Sequence, residues 1–136
     1  MIQVVEFDPA HAAALQVQDA QRVDAACLGG EYGMAFTAMA DGKPVACAGV
    51  LEVWAGRGYA WALLGRDCGS YFLAIHRAVN RGIVLCGLRR VEMAVDAGFL
   101  PGIRWAQLLG FKLETPEPMR AYLPNGRDAY LYARVQ

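Results

Sequence analysis

The sequence is short of several things, and each shortage excludes something. Its four cysteines, Cys27, Cys47, Cys68 and Cys86, include no CxxC pair. Disulfide frameworks and zinc sites need grouped ligands, so these thiols read as free and mostly buried, in a reducing compartment. No apolar run approaches the roughly 20 residues a helix needs to cross a bilayer. The opening MIQVVEFDPAH lacks the basic flank and apolar stretch of a secretory signal. An excess of one charge is missing too, since thirteen Lys and Arg balance thirteen Asp and Glu. A protein that grips nucleic acid electrostatically needs a basic surplus to displace counterions. Lysine itself is rare, at Lys43 and Lys112 only, so nearly every cation is an arginine spread along the chain. These absences point to a soluble protein of the cytoplasm, with neither membrane nor nucleic acid as partner and no bound metal.

Apolar residues are what the chain has in plenty, 56% of 136 residues. That suffices for one domain, residues 1–136, with a core that needs no covalent staple. IQVVEF (2–7) is a β-branched strand, and Asp8 with Pro9 starts a helix after it. Ala13, Val17, Ala20 and Cys27 would share a face of that helix, with Val23 beside them, before LGGEYG (28–33) breaks it. Strands 34–40 and 44–54 meet at Asp41-Gly42-Lys43, and AGRG (55–58) turns into a third strand, YAWALL (59–64). These strands are apolar on both faces, as in a sheet covered on both sides.

LLGRDCGSYF (63–72) then leaves the strand through Arg66-Asp67-Cys68-Gly69. Beyond Gly69 the period becomes helical, with Phe72, Ile75, Val79, Ile83 and Cys86 recurring every three or four residues. RRVEMAVDA (89–97) is another strand, Pro101 to Gly110 a helix, and MRAYL–PNGR–DAYLYARV a second hairpin with Asn125-Gly126 at its tip. A meander followed by a strand–helix–strand crossover makes an α/β (α+β) fold. Its mixed sheet has about seven strands with helices on both faces, and 59–64 runs parallel to 89–97.

This order, with RDCG after the fourth strand and WAQLLGF after the fifth, resembles the GNAT superfamily of acetyl-CoA-dependent N-acetyltransferases over essentially the whole chain. The resemblance implies that the fourth and fifth strands splay apart. It also implies that acetyl-CoA lies beside the fourth strand with its pyrophosphate on the turn. Arg66 and Gly69 match that turn, with Ser70 and Tyr71 completing it and Leu63 and Leu64 supplying backbone donors to the thioester; Leu109-Gly110-Phe111 match the helix end. Three positions depart from the family pattern. Tyr71 stands where Gly or Ala closes the turn, Phe99 where an Asn is expected, and Ala106, beside Trp105, where a Tyr commonly protonates the leaving thiolate. A narrower likeness is to small GNAT-like proteins of short-tailed bacteriophages, strongest from residue 59 onward, some of them associated with virion assembly.

Candidate catalytic residues follow from these gaps. Glu52, late in its strand, reads as the base that deprotonates an amine acceptor, or as a solvated strand-end carboxylate. Tyr122 is a candidate for the missing acid, as is Tyr130, or both are half-buried strand aromatics. Asp96 ends the fifth strand, where open α/β sheets bind ligands, or it caps the next helix. His11 and His76 have no Ser or Cys at a telling spacing, and Trp54 and Trp61 read as core packing. Two functions result. One is an acyl-CoA N-acyltransferase acting on a small-molecule or peptide amine, with a second copy, as a homodimer, for a candidate partner. The other is a non-enzymatic protein of the same fold, in the host cytoplasm or virion with virion proteins as partners.

Overall fold

The computed structural model describes residues 1–15 and 34–136. The helix positions expected at Val17, Ala20, Val23 and Cys27, and the break at 28–33, lie outside the described residues. The strands are β1 (Gln3–Glu6), β2 (Met34–Ala40), β3 (Lys43–Trp54), β4 (Arg57–Leu64), β5 (Arg90–Asp96), β6 (Lys112–Leu113) and β7 (Ala129–Val135). The helices are α1 (Pro9–Ala14), α2 (Phe72–Leu85) and α3 (Leu100–Leu108), with a 3-10 turn at Cys68–Tyr71. One mixed sheet orders the strands β1-β2-β3-β4-β5-β7-β6. Two compact units divide the chain, residues 1–51 with 60–87, and residues 52–59 with 88–136.

In the first unit local chemistry sets the elements. Asp8 caps α1 by accepting the Ala10 N–H at 2.8 Å, and Pro9 occupies the first helical turn. The helix stops at Ala14, since Leu15 is already extended. Asp41 (φ 50°) and Gly42 (φ 76°) both take the left-handed conformation that a tight two-residue hairpin needs, so β2 and β3 pair as expected. Neighbouring residues of a strand face opposite sides. Thr37 meets His11 of α1, whereas Phe36 lies beside Gly82 of α2. The sheet therefore carries helices on both faces. Between α1 and the sheet, Leu15, Cys47 and Leu63 form a buried cluster, with Phe7, Ala12 and Trp61 packed on it.

In the second unit β5 is the spine. It pairs antiparallel with β7 along its whole length, from Arg90↔Val135 to Asp96↔Ala129, and α3 packs against it. On its other side it pairs parallel with β4 over three residues only: Arg57↔Arg90, Gly58↔Val91 and Tyr59↔Glu92. β4 runs on to Leu64 and β5 to Asp96. The parallel ladder thus stops at Tyr59↔Glu92, short of the carboxyl end of either strand.

The final hairpin differs from the expectation. Residues 119–123 are not its first arm; β6 is the short Lys112–Leu113, paired with Ala133 and Tyr132, and Met119 makes an isolated bridge to Ala129. Pro116, Pro118 and Pro124 remove backbone donors around the expected arm, and Ala121 takes φ 52°, which no strand residue adopts. The tip is as expected. Gly126 has φ 81°, and the Asn125 side chain accepts the Arg127 N–H at 3.0 Å.

Candidate functional site

β4 delivers the chain to the candidate site. Leu63 and Leu64 are buried, and Gly65 closes the strand by donating its N–H to Val45 O at 2.9 Å. A side chain at Gly65 would press on that carbonyl, on Asp67 and on Leu15, so the exit from the strand needs glycine. The Cys68 N–H then reaches back to Gly65 O at 3.2 Å, which tightens the turn into the 3-10 segment, and α2 begins at Phe72.

The turn therefore brings Arg66, Gly69, Ser70 and Tyr71 to the start of a 14-residue helix. Helix starts leave amides without intrahelical partners and carry about half a positive charge, which suits an anion. Arg66, Gly69 and Ser70 are exposed, and among the described residues, chain neighbours aside, nothing lies within 4 Å of where a Gly69 side chain would begin. The backbone is thus approachable at Gly69. Tyr71 is half-buried with φ −106° and ψ 2°, a negative φ in the bridge region open to any residue. Cys68 is buried, and burial beside Asp67 pushes its thiol up, which makes it a poor nucleophile.

The second unit holds the other candidates. Glu52 is exposed near the end of β3. Tyr122 is 49% exposed and lies in the turn-rich connection before β7, outside any strand, which corrects the reading of it as a strand aromatic. Tyr130 lies in β7, half-buried, opposite Val95. Ala106 is fully buried and its carbonyl accepts the Phe111 N–H at 3.0 Å, so the position where a phenol was expected faces packed interior. The Phe99 ring lies against Gly102, filling the start of α3 with hydrocarbon instead of an amide.

Asp96 is buried and fully engaged. It accepts the Gly98 N–H at 2.8 Å and Arg127 Nε and Nη2 at 2.7 and 3.0 Å. Its hydrogen bond from Arg127 holds the carboxyl below the usual carboxylate range, against the opposing effect of burial. It organises the β5–α3 turn and ties it to the connection before β7. Sequence reasoning missed this pair, and missed a second network in which Glu92 accepts from Arg57 and Arg90 while Arg90 also grips Glu114. A glutamate inside the apolar run RVEMAV was the available signal. Trp54, expected in the core, is exposed, with the Arg57 guanidinium 4.4 Å over its ring. Among the described residues no cluster of His, Cys, Asp and Glu has the makings of a metal site.

No family model matches the chain, and no curated protein matches it in sequence. Solved structures do match in fold. The ribosomal-protein-S18-alanine N-acetyltransferase from Escherichia coli superposes with a TM-score of 0.72 at 19% identity, covering 99% of this chain and 94% of that one. Ard1 from Thermoplasma volcanium gives 0.74 at 14% identity, covering 98% and 97%. The IAA acetyltransferase from Bacillus cereus gives 0.72 at 13%, over the full length of both chains. The fold is that of the GNAT acetyltransferases.

Proposed function

We propose that the protein is a GNAT-type acyltransferase that moves an acetyl group from a thioester donor, acetyl-CoA in the simplest case, to the amine of a small molecule or peptide. The observation that carries this reading is the path of β4. Its pairing with β5 ends at Tyr59, and its continuation runs directly into the exposed turn at the head of α2. An extended thioester arm fits beside such a strand end, with its anionic end on the helix start.

In this reading Arg66, Gly69 and Ser70 hold the donor's phosphates, and the β4 backbone near Leu63 and Leu64 orients the thioester and stabilises the oxyanion that develops on its carbonyl. Glu52 takes the proton from the acceptor amine and Tyr122 returns one to the departing thiolate. A positioned acid of this kind contributes roughly 10²–10⁴-fold in rate. A second reading draws on the buried Ala106 and the ring of Tyr71. It is a non-enzymatic protein of this fold with an assembly role, such as one in a bacteriophage particle.

Calorimetry with acetyl-CoA separates the two. Micromolar affinity that weakens in Arg66→Glu supports the transferase, whereas no heat at millimolar ligand leaves the assembly reading.

A further inference from the structure

The solvent face of α2 is not that of an ordinary surface helix. Ile75, Val79 and Ile83 are its buried side. Opposite them, Leu73, Arg77, Arg81, Val84 and Leu85 are exposed, the three aliphatic residues at 60%, 53% and 68%. At 3.6 residues per turn these five fall within an arc of about 120° and run some 20 Å along the helix. No acid interrupts the stripe, for the chain has neither Asp nor Glu between Asp67 and Glu92. Leu73 stands at one end of the stripe and Val84 with Leu85 at the other, with Arg77 and Arg81 between them, and the two arginines say that what docks is acidic.

A second copy fits this face poorly. Two α2 helices packed antiparallel about their midpoints would set Arg77 against Arg81 of the other copy, with no acid in either helix to compensate. Nucleic acid fits poorly as well, since three of the five exposed positions are aliphatic.

The stripe begins where the donor turn ends. Between Arg66 and Phe72 Gly69 is the one glycine, and Tyr71 adds a ring at the last position before α2. The stripe is continuous with that turn, so a donor whose arm enters the turn has the rest of its body against the stripe. A phosphopantetheine arm on a carrier protein presents one phosphodiester, followed by protein surface in place of a nucleotide. We propose that the acyl donor is the thioester of an acidic acyl carrier protein, whose acidic, partly apolar helix lies along Leu73, Arg77, Arg81 and Leu85 while its arm enters past Gly69. This rests on the transferase reading above. In the transfer the amine nitrogen bonds to the thioester carbonyl carbon. The carbon–sulfur bond breaks with its electron pair going to sulfur, and the proton lost by the amine ends on the carrier's thiol.

The test compares binding of acetyl-CoA and of an acetylated bacterial acyl carrier protein, by calorimetry, to the wild type and to Arg77→Glu/Arg81→Glu. The carrier should bind about tenfold more tightly than acetyl-CoA, and the double charge reversal and raised salt should each remove most of that preference. Micromolar binding of acetyl-CoA with no tighter binding of the carrier overturns the inference and leaves the transferase standing. A carrier preference that survives the double reversal overturns the docking face. Binding of neither donor sinks both.

Discussion

Thr37 Oγ1 lies 2.8 Å from His11 Nδ1 and 3.6 Å from Cys47 Sγ, joining α1 to the registered Thr37↔Cys47 pair of β2 and β3. His11 Nδ1 also receives the Asp8 N–H at 3.2 Å, so it is an acceptor and the Thr37 hydroxyl donates to it. The Cys47 thiol then donates to Thr37. Burial pushes that thiol up, which leaves a protonated, inert sulfur under the helix. Thr37→Val keeps the shape and removes both bonds. It should cost about 1–2 kcal/mol, read from the urea midpoint; an unchanged midpoint would show that the hydroxyl contributes nothing.

Glu92 gives the acid limb of stability its shape. Hydrogen bonds from Arg57, then from Arg90, hold its carboxyl below the usual range, with burial working the other way. Its folded pKa is lower than its unfolded one, so on acidification the unfolded chain takes up the proton first. The stabilisation is complete above the ordinary carboxylate range, near pH ~4.3, and is lost as pH falls through the lower folded value. Asp96 and Glu114 act in the same direction. Glu92→Gln should flatten the melting temperature's dependence on acid relative to wild type. A curve parallel to wild type, displaced by a constant, would contradict this origin.

Gly49 admits the Trp61 ring to the sheet. A Cβ there would come within 2.9 Å of Trp61 Cε2 and 2.8 Å of Met34 O. Gly49→Ala should therefore cost about 1–3 kcal/mol by overpacking, with altered tryptophan fluorescence in the folded protein. Full stability in the variant would mean the ring has another place to go.

Tyr71 bears on donor binding. If its ring narrows the turn, Tyr71→Gly should tighten acetyl-CoA by a severalfold factor in calorimetry, since a bare backbone lets phosphate approach more closely. Equal affinities would place the ring away from the ligand's path.

The turn at 63–72 was legible because each of its signals is local. Gly65 and Gly69 punctuate the chain, and the period changes from strand to helix within a few residues. Tyr122 was misplaced for the opposite reason. Tyrosine favours strands, but the prolines around it and the left-handed Ala121 outweigh that preference. Nothing local marks Arg127 as the partner of Asp96, 31 residues away.

The sequence by itself determined the order of strands and helices, the hairpin at Asp41-Gly42 and the helix start after Arg66, because these follow from backbone conformation and side-chain period over a few neighbouring residues. Only the tertiary structure decided where the parallel ladder stops, which carboxylates are locked by arginines, and that the aliphatic face of α2 is left to solvent. Those features are pairings between residues distant in the chain, and their energies exist only once the backbone has brought them within reach.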